Sequence, residues 1–155
     1  MKIRRAKKSD KKEFLKVQKE AFPNLDSRKQ AKYFIGKLEN KEIFVAIGKK
    51  DYLGHICFGE YNLNPPFTGG IFVEEFAVAK KSRGNSIGLV LLKFLIGYCK
   101  KNNFSVLYLG TGDYKGNKAI PYYKKLGFKK IGKLEEINPK SEYKYGMIFL
   151  GKIIR

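Results

Sequence analysis

The chain has 155 residues, 43% hydrophobic and 14% aromatic, with 33 Lys and Arg against 14 Asp and Glu, a formal net charge of +19. That length and apolar content suit one domain with an ordinary core and exclude a disordered chain. No apolar run reaches the roughly 18 residues of a membrane span, and the basic start "MKIRRAKKSDKKEF" lacks the apolar stretch of a signal peptide, so a soluble, cytoplasmic protein is expected.

In chain order, "MKIRRA" alternates and predicts an opening strand. "KKSDKKEFLKVQKEAF" predicts a helix with Ser9 as N-cap, Phe14, Val17, Ala21 and Phe22 on one face, and Pro23 as its stop. "SRKQAKYFIGKLEN" predicts a second basic helix presenting Ala31, Phe34, Ile35 and Leu38. "EIFVAIGKKDYLGHICFGEY" reads as a hairpin turning at Lys49–Asp51, and "NLNPPFTGG" as a loop. "IFVEEFAVA" is a strand. "SIGLVLLKFLIGYCKKN" is a largely buried helix with Ile87, Val90, Leu91, Phe94, Leu95 and Tyr98 in one stripe. "FSVLYLGTG" is the next strand, and "NKAIPYYKKLGF" a short helix with Pro121 near its first turn and Gly127 as its stop. "KKIGKLEEI" and "YKYGMIFLGKII" close the sheet. The order predicts a single α/β domain over residues 1–155, a mixed sheet covered by helices.

Cys57 and Cys99 sit in apolar surroundings and read as reduced core thiols. One histidine, His55, argues against a His-based metal site, and none is expected. The lysines are spread along the whole chain, as on a solvated surface, yet so strong a field also attracts polyanions such as nucleic acid or a polyphosphate cofactor. Zinc-finger spacing, an RNP-type aromatic strand and a basic heptad region are all absent from the sequence, so nucleic acid is not the expected partner.

The stretch "KKSRGNSIGLVLLKFL" joins a strand to a helix through a glycine-containing turn. Such a turn presents backbone N–H groups and the positive end of the helix dipole, which together bind phosphate. Gly84 and Gly88 allow close backbone approach, and Arg83 adds charge. The Gly-Lys-Ser/Thr ending of a Walker A loop is missing, and no βαβ repeat supports a Rossmann fingerprint.

Together with its neighbours, "EEFAVAKKSRGNSIGLVLL" resembles the acetyl-CoA-binding segment of the GNAT N-acetyltransferase superfamily, whose pattern is Arg/Gln-x-x-Gly-x-Gly/Ala. "LYLGTGDYKGNKAIPYYKKLGF" resembles the later family segment in which Asn-x-x-Ala, a tyrosine and Gly-Phe close the site. "IRRAKKSDKKEFLKVQKEAFP" and "YGMIFLGKII" look like the family's first strand and helix and its last strand. The resemblance implies the GNAT acyl-CoA N-acyltransferase fold, a mixed, mostly antiparallel sheet flanked by helices. It implies transfer of an acetyl group from acetyl-CoA to a primary amine, of a small molecule or a peptide, by direct attack. Arg83, Gly84, Asn85, Ser86, Ile87 and Gly88 fall on the pyrophosphate motif, and Asn117 and Tyr123 on the later cofactor segment. Two positions depart from the pattern. Ser86 stands at the motif's first glycine, and Gly116, not Asn117, falls three residues before Ala119.

The chemistry follows from the residue types. An amine must lose a proton before it attacks a thioester, and a nearby carboxylate serves as the base. Strand alternation puts Glu74 and Glu75 on opposite faces. The resemblance places the base four residues before the closing Val78, at Glu74, with the Val78 backbone N–H on the acetyl carbonyl. It makes Tyr123 the acid that protonates the departing thiolate. Lys81, Arg83, Lys118 and Lys124 are candidates to meet coenzyme A phosphates, and Asp26, Glu60, Glu74 and Glu75 to attract a cationic acceptor. Exposed strand edges leave room for a homodimer. A non-catalytic acyl-CoA-binding module of the same fold, and a basic nucleic-acid-associated protein, are the other readings.

Overall fold

The opening residues form β1 (Lys2–Arg5), antiparallel to β2 (Ile43–Ile47) with Ile3 opposite Ala46 and Arg5 opposite Phe44. A tight turn, closed by the Gly48 N–H on the Asp51 carbonyl at 2.7 Å, leads into β3 (Tyr52–Tyr61), antiparallel to β2. The other elements are α1 (Lys11–Ala21), α2 (Ser27–Glu39), β4 (Gly70–Val78), α3 (Ile87–Lys101), β5 (Val106–Gly112), α4 (Ala119–Lys125), β6 (Lys129–Leu134) and β7 (Met147–Ile153). This computed structural model describes residues 1–61, 69–137 and 145–154. Most of the loop expected at "NLNPPFTGG" and the start of the last expected strand lie outside them. The strands form one seven-stranded sheet in the order β1-β2-β3-β4-β5-β7-β6. The β4–β5 pair is parallel, and β1–β2, β2–β3, β5–β7 and β6–β7 are antiparallel.

Contacts gather into two units, Met1–Gly59 with Glu74–Tyr98 and Glu60–Val73 with Cys99–Arg155. In the first, α1 and α2 cover one sheet face. Phe14, Val17 and Phe34 from the helices bury against Val45, Cys57 and Ala77 from the strands, with the Phe14 and Phe34 rings 4.9 Å apart. Each of the phenylalanines and valines contributes about 1.5–3 kcal/mol on burial. On the other face Phe44 stacks on Phe58 at 5.2 Å and meets Phe94 and Tyr98 of α3 edge-on. The Arg5 guanidinium lies 4.2 Å over the Phe44 ring, a cation–π contact that covers this cluster. β3 and β4 approach closely at Gly54, where a Cβ would stand 2.6 Å from the Ala77 carbonyl oxygen.

Two local expectations are corrected here. Ser9 does not cap α1: it lies inside a single 3-10 turn, Lys8–Asp10, and the Asp10 carboxylate accepts the Lys7 N–H at 2.7 Å. Asp10 can do this because its two oxygens are also gripped by Arg4 at 2.7 and 2.9 Å. The inward face of α2 is also rotated. Gln30 and Phe34 are buried and Lys37 is half-buried, while Ile35 is 36% exposed. The polar side chains turn inward because strand carboxylates await them.

In the second unit β5 lies between residues 70–73 of β4 and β7, with Leu107, Leu109, Ile148, Leu150 and Phe128 buried. α4 stops where predicted, with Gly127 at φ +83°. Both cysteines are free and buried, and burial raises each thiol pKa, that of Cys99 to about 12.

Candidate active site

β4 ends at Val78 and passes into a 3-10 turn, Lys80–Ser82, whose first N–H is accepted by the Glu20 carboxylate at 2.8 Å. Arg83 is extended, and its Nε donates to the Val78 carbonyl at 3.1 Å, tying the turn back to the strand end. Gly84 then adopts φ +82° and Ser86 φ +58°, immediately before α3 begins at Ile87. The Ser86 carbonyl accepts the Val90 N–H at 3.0 Å, so the serine is tied into the first helical turn. Its backbone is therefore left-handed, a region glycine enters freely and a side chain enters at a cost of about 1–2 kcal/mol. Residues 83–86 are all exposed, and a Cβ on Gly84 would meet nothing within 4 Å. Gly88 differs, because a Cβ there would stand 3.3 Å from the Phe76 ring and 3.7 Å from Val78, so it serves the packing of α3 on β4. The first N–H groups of α3 have no intrahelical partner, and the open turn suits an anion such as phosphate.

The two glutamates of β4 do not obey the predicted alternation. Glu74 accepts from the Tyr33 hydroxyl at 2.8 Å and from the Lys37 ammonium at 2.6 Å, both on α2. Glu75 accepts from Gln30 of α2 at 3.3 Å and from Gln18 of α1. These neighbouring residues thus both reach side chains of α2. Their electrostatics differ. Lys37 also holds Glu42 at 2.7 Å and the Phe58 carbonyl at 3.0 Å, so Glu74 belongs to a three-membered ion cluster. Burial alone would lower the Lys37 pKa, but the hydrogen bonds and charges of Glu42 and Glu74 raise it. Among the described residues Glu75 has no cation in direct contact; burial raises its carboxyl pKa above the usual range, although the two amides favour the ionised form.

In the second unit, Tyr123 of α4 packs its ring between Tyr122 and Phe128, at 5.4 and 5.6 Å. Burial, with a smaller contribution from Tyr122, raises the phenol pKa to about 12, and among the described residues its hydroxyl has no hydrogen-bond partner. Asn117 is engaged locally: its Nδ2 donates to Thr111 Oγ1 at 3.0 Å and to the Gly112 carbonyl at 2.5 Å, and its Oδ1 accepts the Ala119 N–H at 2.9 Å. Gly116, three residues before Ala119, has φ +87°. Of the other candidates, Lys81 pairs with Asp51, and Asp26 caps α2 through the Lys29 N–H at 2.8 Å. Lys118 and Lys124 are exposed.

Gln18, Gln30, Tyr33 and Lys37 escaped the sequence reading. Gln18 lies four residues after Phe14, squarely on the apolar stripe of α1, and that position was its signal.

A mostly antiparallel seven-stranded sheet flanked by helices is the architecture of GNAT acetyltransferase structures. The acetyltransferase (GNAT) family matches residues 11–128, and the chain belongs to that family. Streptothricin acetyltransferase A of Bacillus subtilis (strain 168) is 36% identical over 62 residues, which are 40% of this chain and 36% of that enzyme, so the match spans little more than a third of the enzyme's length. An N-acetyltransferase from Staphylococcus aureus Mu50 is 26% identical, with a TM-score of 0.82 over 99% of this chain and 98% of its own. An aminoglycoside 6'-N-acetyltransferase complexed with coenzyme A shares the fold at 18% identity, with a TM-score of 0.79 over 100% and 98% of the two chains.

Proposed function

We propose that this protein is an N-acetyltransferase that moves an acetyl group from acetyl-CoA to a primary amine. The observation that carries the reading is the backbone between Val78 and Ile87. Gly84 and Ser86 both take left-handed conformations, so the turn is shaped as a glycine-bearing motif would be despite its serine. That shape, the open side at Gly84 and the exposed Arg83 fit the pyrophosphate of coenzyme A.

When bound, acetyl-CoA supplies an acetyl thioester. Arg83, Gly84, Asn85, Ser86 and Ile87 would hold the phosphates, with Gly88 letting α3 pack close on β4, and the Val78 N–H would polarise the acetyl carbonyl. A carboxylate of β4 takes the proton from the acceptor ammonium, directly or through water. The family pattern points to Glu74, but two observations favour Glu75. Glu74 is occupied by the Lys37 ammonium and the Tyr33 hydroxyl. Glu75 has no direct cation among the described residues, and its raised pKa makes it the better proton acceptor. Tyr123, still protonated at neutral pH with its pKa near 12, donates to the sulfur as the thiolate leaves. Asn117 acts by shaping the entry to α4, since its polar atoms are engaged within the loop.

Thiol release from acetyl-CoA, followed with a panel of small amines and peptide N-termini, tests the reading. Amine-dependent release is expected. Calorimetric binding of acetyl-CoA without turnover of any amine would favour a binding module instead.

A further inference from the structure

Glu75 is the end of a hydrogen-bond chain through the core of the first unit. Tyr52 Oη lies 3.0 Å from His55 Nδ1, and His55 Nε2 lies 3.0 Å from Gln18 Oε1. Gln18 Nε2 donates to Gln30 Oε1 at 2.8 Å and to one oxygen of Glu75, while Gln30 Nε2 reaches the other at 3.3 Å. Tyr52, His55 and Gln18 are 7%, 0% and 1% exposed, so water does not substitute for these partners.

Donor and acceptor roles give the chain a direction. An ionised carboxylate only accepts, so both glutamines must turn their NH2 groups toward Glu75. Gln18 Oε1 then faces His55, whose Nε2 must carry the proton. His55 Nδ1 is left as an acceptor, and the Tyr52 hydroxyl supplies it. A neutral imidazole meets these demands, and burial holds the ring neutral by pushing its pKa down to about 3. Its ring is packed on Phe14 at 4.3 Å. Reversing any member would turn an amide oxygen toward the carboxylate.

We propose that Gln18 is a positioning residue for Glu75, with His55 and Tyr52 locking its amide so that an N–H always faces the carboxylate. The proposal deepens the acetyltransferase reading and rests on Glu75 as its proton acceptor. The titratable or charged groups around Glu75 are Glu74 on β4, Tyr33 and Lys37 on α2, and Cys57 and His55 on β3. Glu74 and Lys37 pair with each other at 2.6 Å, which leaves the amides as the direct contacts that favour ionised Glu75.

Carbon-13 NMR titration of glutamate carboxyls in the free protein, with Glu75→Gln to assign the signal, reads this site without any substrate. In Gln18→Met the Glu75 midpoint should rise by about one pH unit, because a hydrogen bond to the charged form is lost. Tyr52→Phe, which keeps the ring packing and serves if Gln18→Met does not fold, should raise it by less. The acid-side inflection of kcat/KM for acetyl transfer should move up in step. An unchanged Glu75 midpoint in folded variants overturns the positioning role. A raised midpoint with a stationary kcat/KM inflection supports the positioning role and instead removes Glu75 as the base. The inflection would then move in Lys37→Met, which frees Glu74.

Discussion

Ser86 holds a φ of +58° while its carbonyl accepts the Val90 N–H at 3.0 Å, so the first turn of α3 is locked to a residue in a strained region. Glycine would adopt this conformation without the side-chain clash but would lose more chain entropy on folding. Ser86→Gly should therefore stabilise the protein by about 0.5–1 kcal/mol and leave acetyl-CoA affinity equal or higher. Ser86→Val should destabilise it, because a β-branched side chain is worse still at positive φ. Urea unfolding and calorimetry check both variants; a less stable Ser86→Gly protein would show that the hydroxyl, not the backbone, decides this position.

Tyr123→Phe keeps the ring between Tyr122 and Phe128 and removes a hydroxyl that has no partner among the described residues. Stability should change by less than about 0.5 kcal/mol, while turnover should fall about 100-fold, in the range for loss of a general acid. KM for acetyl-CoA should change little. Steady-state kinetics beside thermal melting separates the two effects, and full turnover in the variant would end the acid role.

His55 contributes a predictable dependence of stability on pH. Its folded pKa, about 3, lies below the ordinary value of 6.5, so the unfolded chain binds a proton that the folded chain refuses. The contribution is fully present above pH 6.5 and is lost as pH falls toward 3. Across that window it amounts to something on the order of 4 kcal/mol. His55→Gln should flatten the acid limb of a stability curve measured by denaturant unfolding between pH 7 and pH 4, at some cost at neutral pH. An acid limb of undiminished slope in that variant would assign the loss to other groups.

Lys37 bridges Glu42 at 2.7 Å and Glu74 at 2.6 Å with its side chain only 13% exposed. Lys37→Met leaves the half-buried Glu42 and the more exposed Glu74 without their cation. It should cost about 1–3 kcal/mol, below the range for fully buried pairs because both glutamates retain contact with water. Adding Glu74→Gln should recover part of the loss. Chemical denaturation of the single and double variants measures the coupling, and strict additivity would mean the pair contributes nothing.

The elements and the family were legible in the sequence. Alternation and helical spacing are local properties, and they delivered the strands, the buried helix α3 and the short helix ending at Gly127. The spacing of glycine and arginine after "EEFAV" marked the turn proposed to hold phosphate, and the resemblance of two segments marked the family. The structure decided what depends on partners distant in sequence. Whether the serine must take positive φ is set by how the turn joins a fixed strand end to a packed helix. Glu74 and Glu75 are chemically alike and adjacent, and they differ because Lys37 and Tyr33 reach one while Gln18 and Gln30 reach the other. Those helical side chains are polar, so hydrophobic periodicity assigned them no place inside. Their reason for being there is the carboxylates, 37 to 57 residues away along the chain, which become neighbours when α1 and α2 fold onto the sheet.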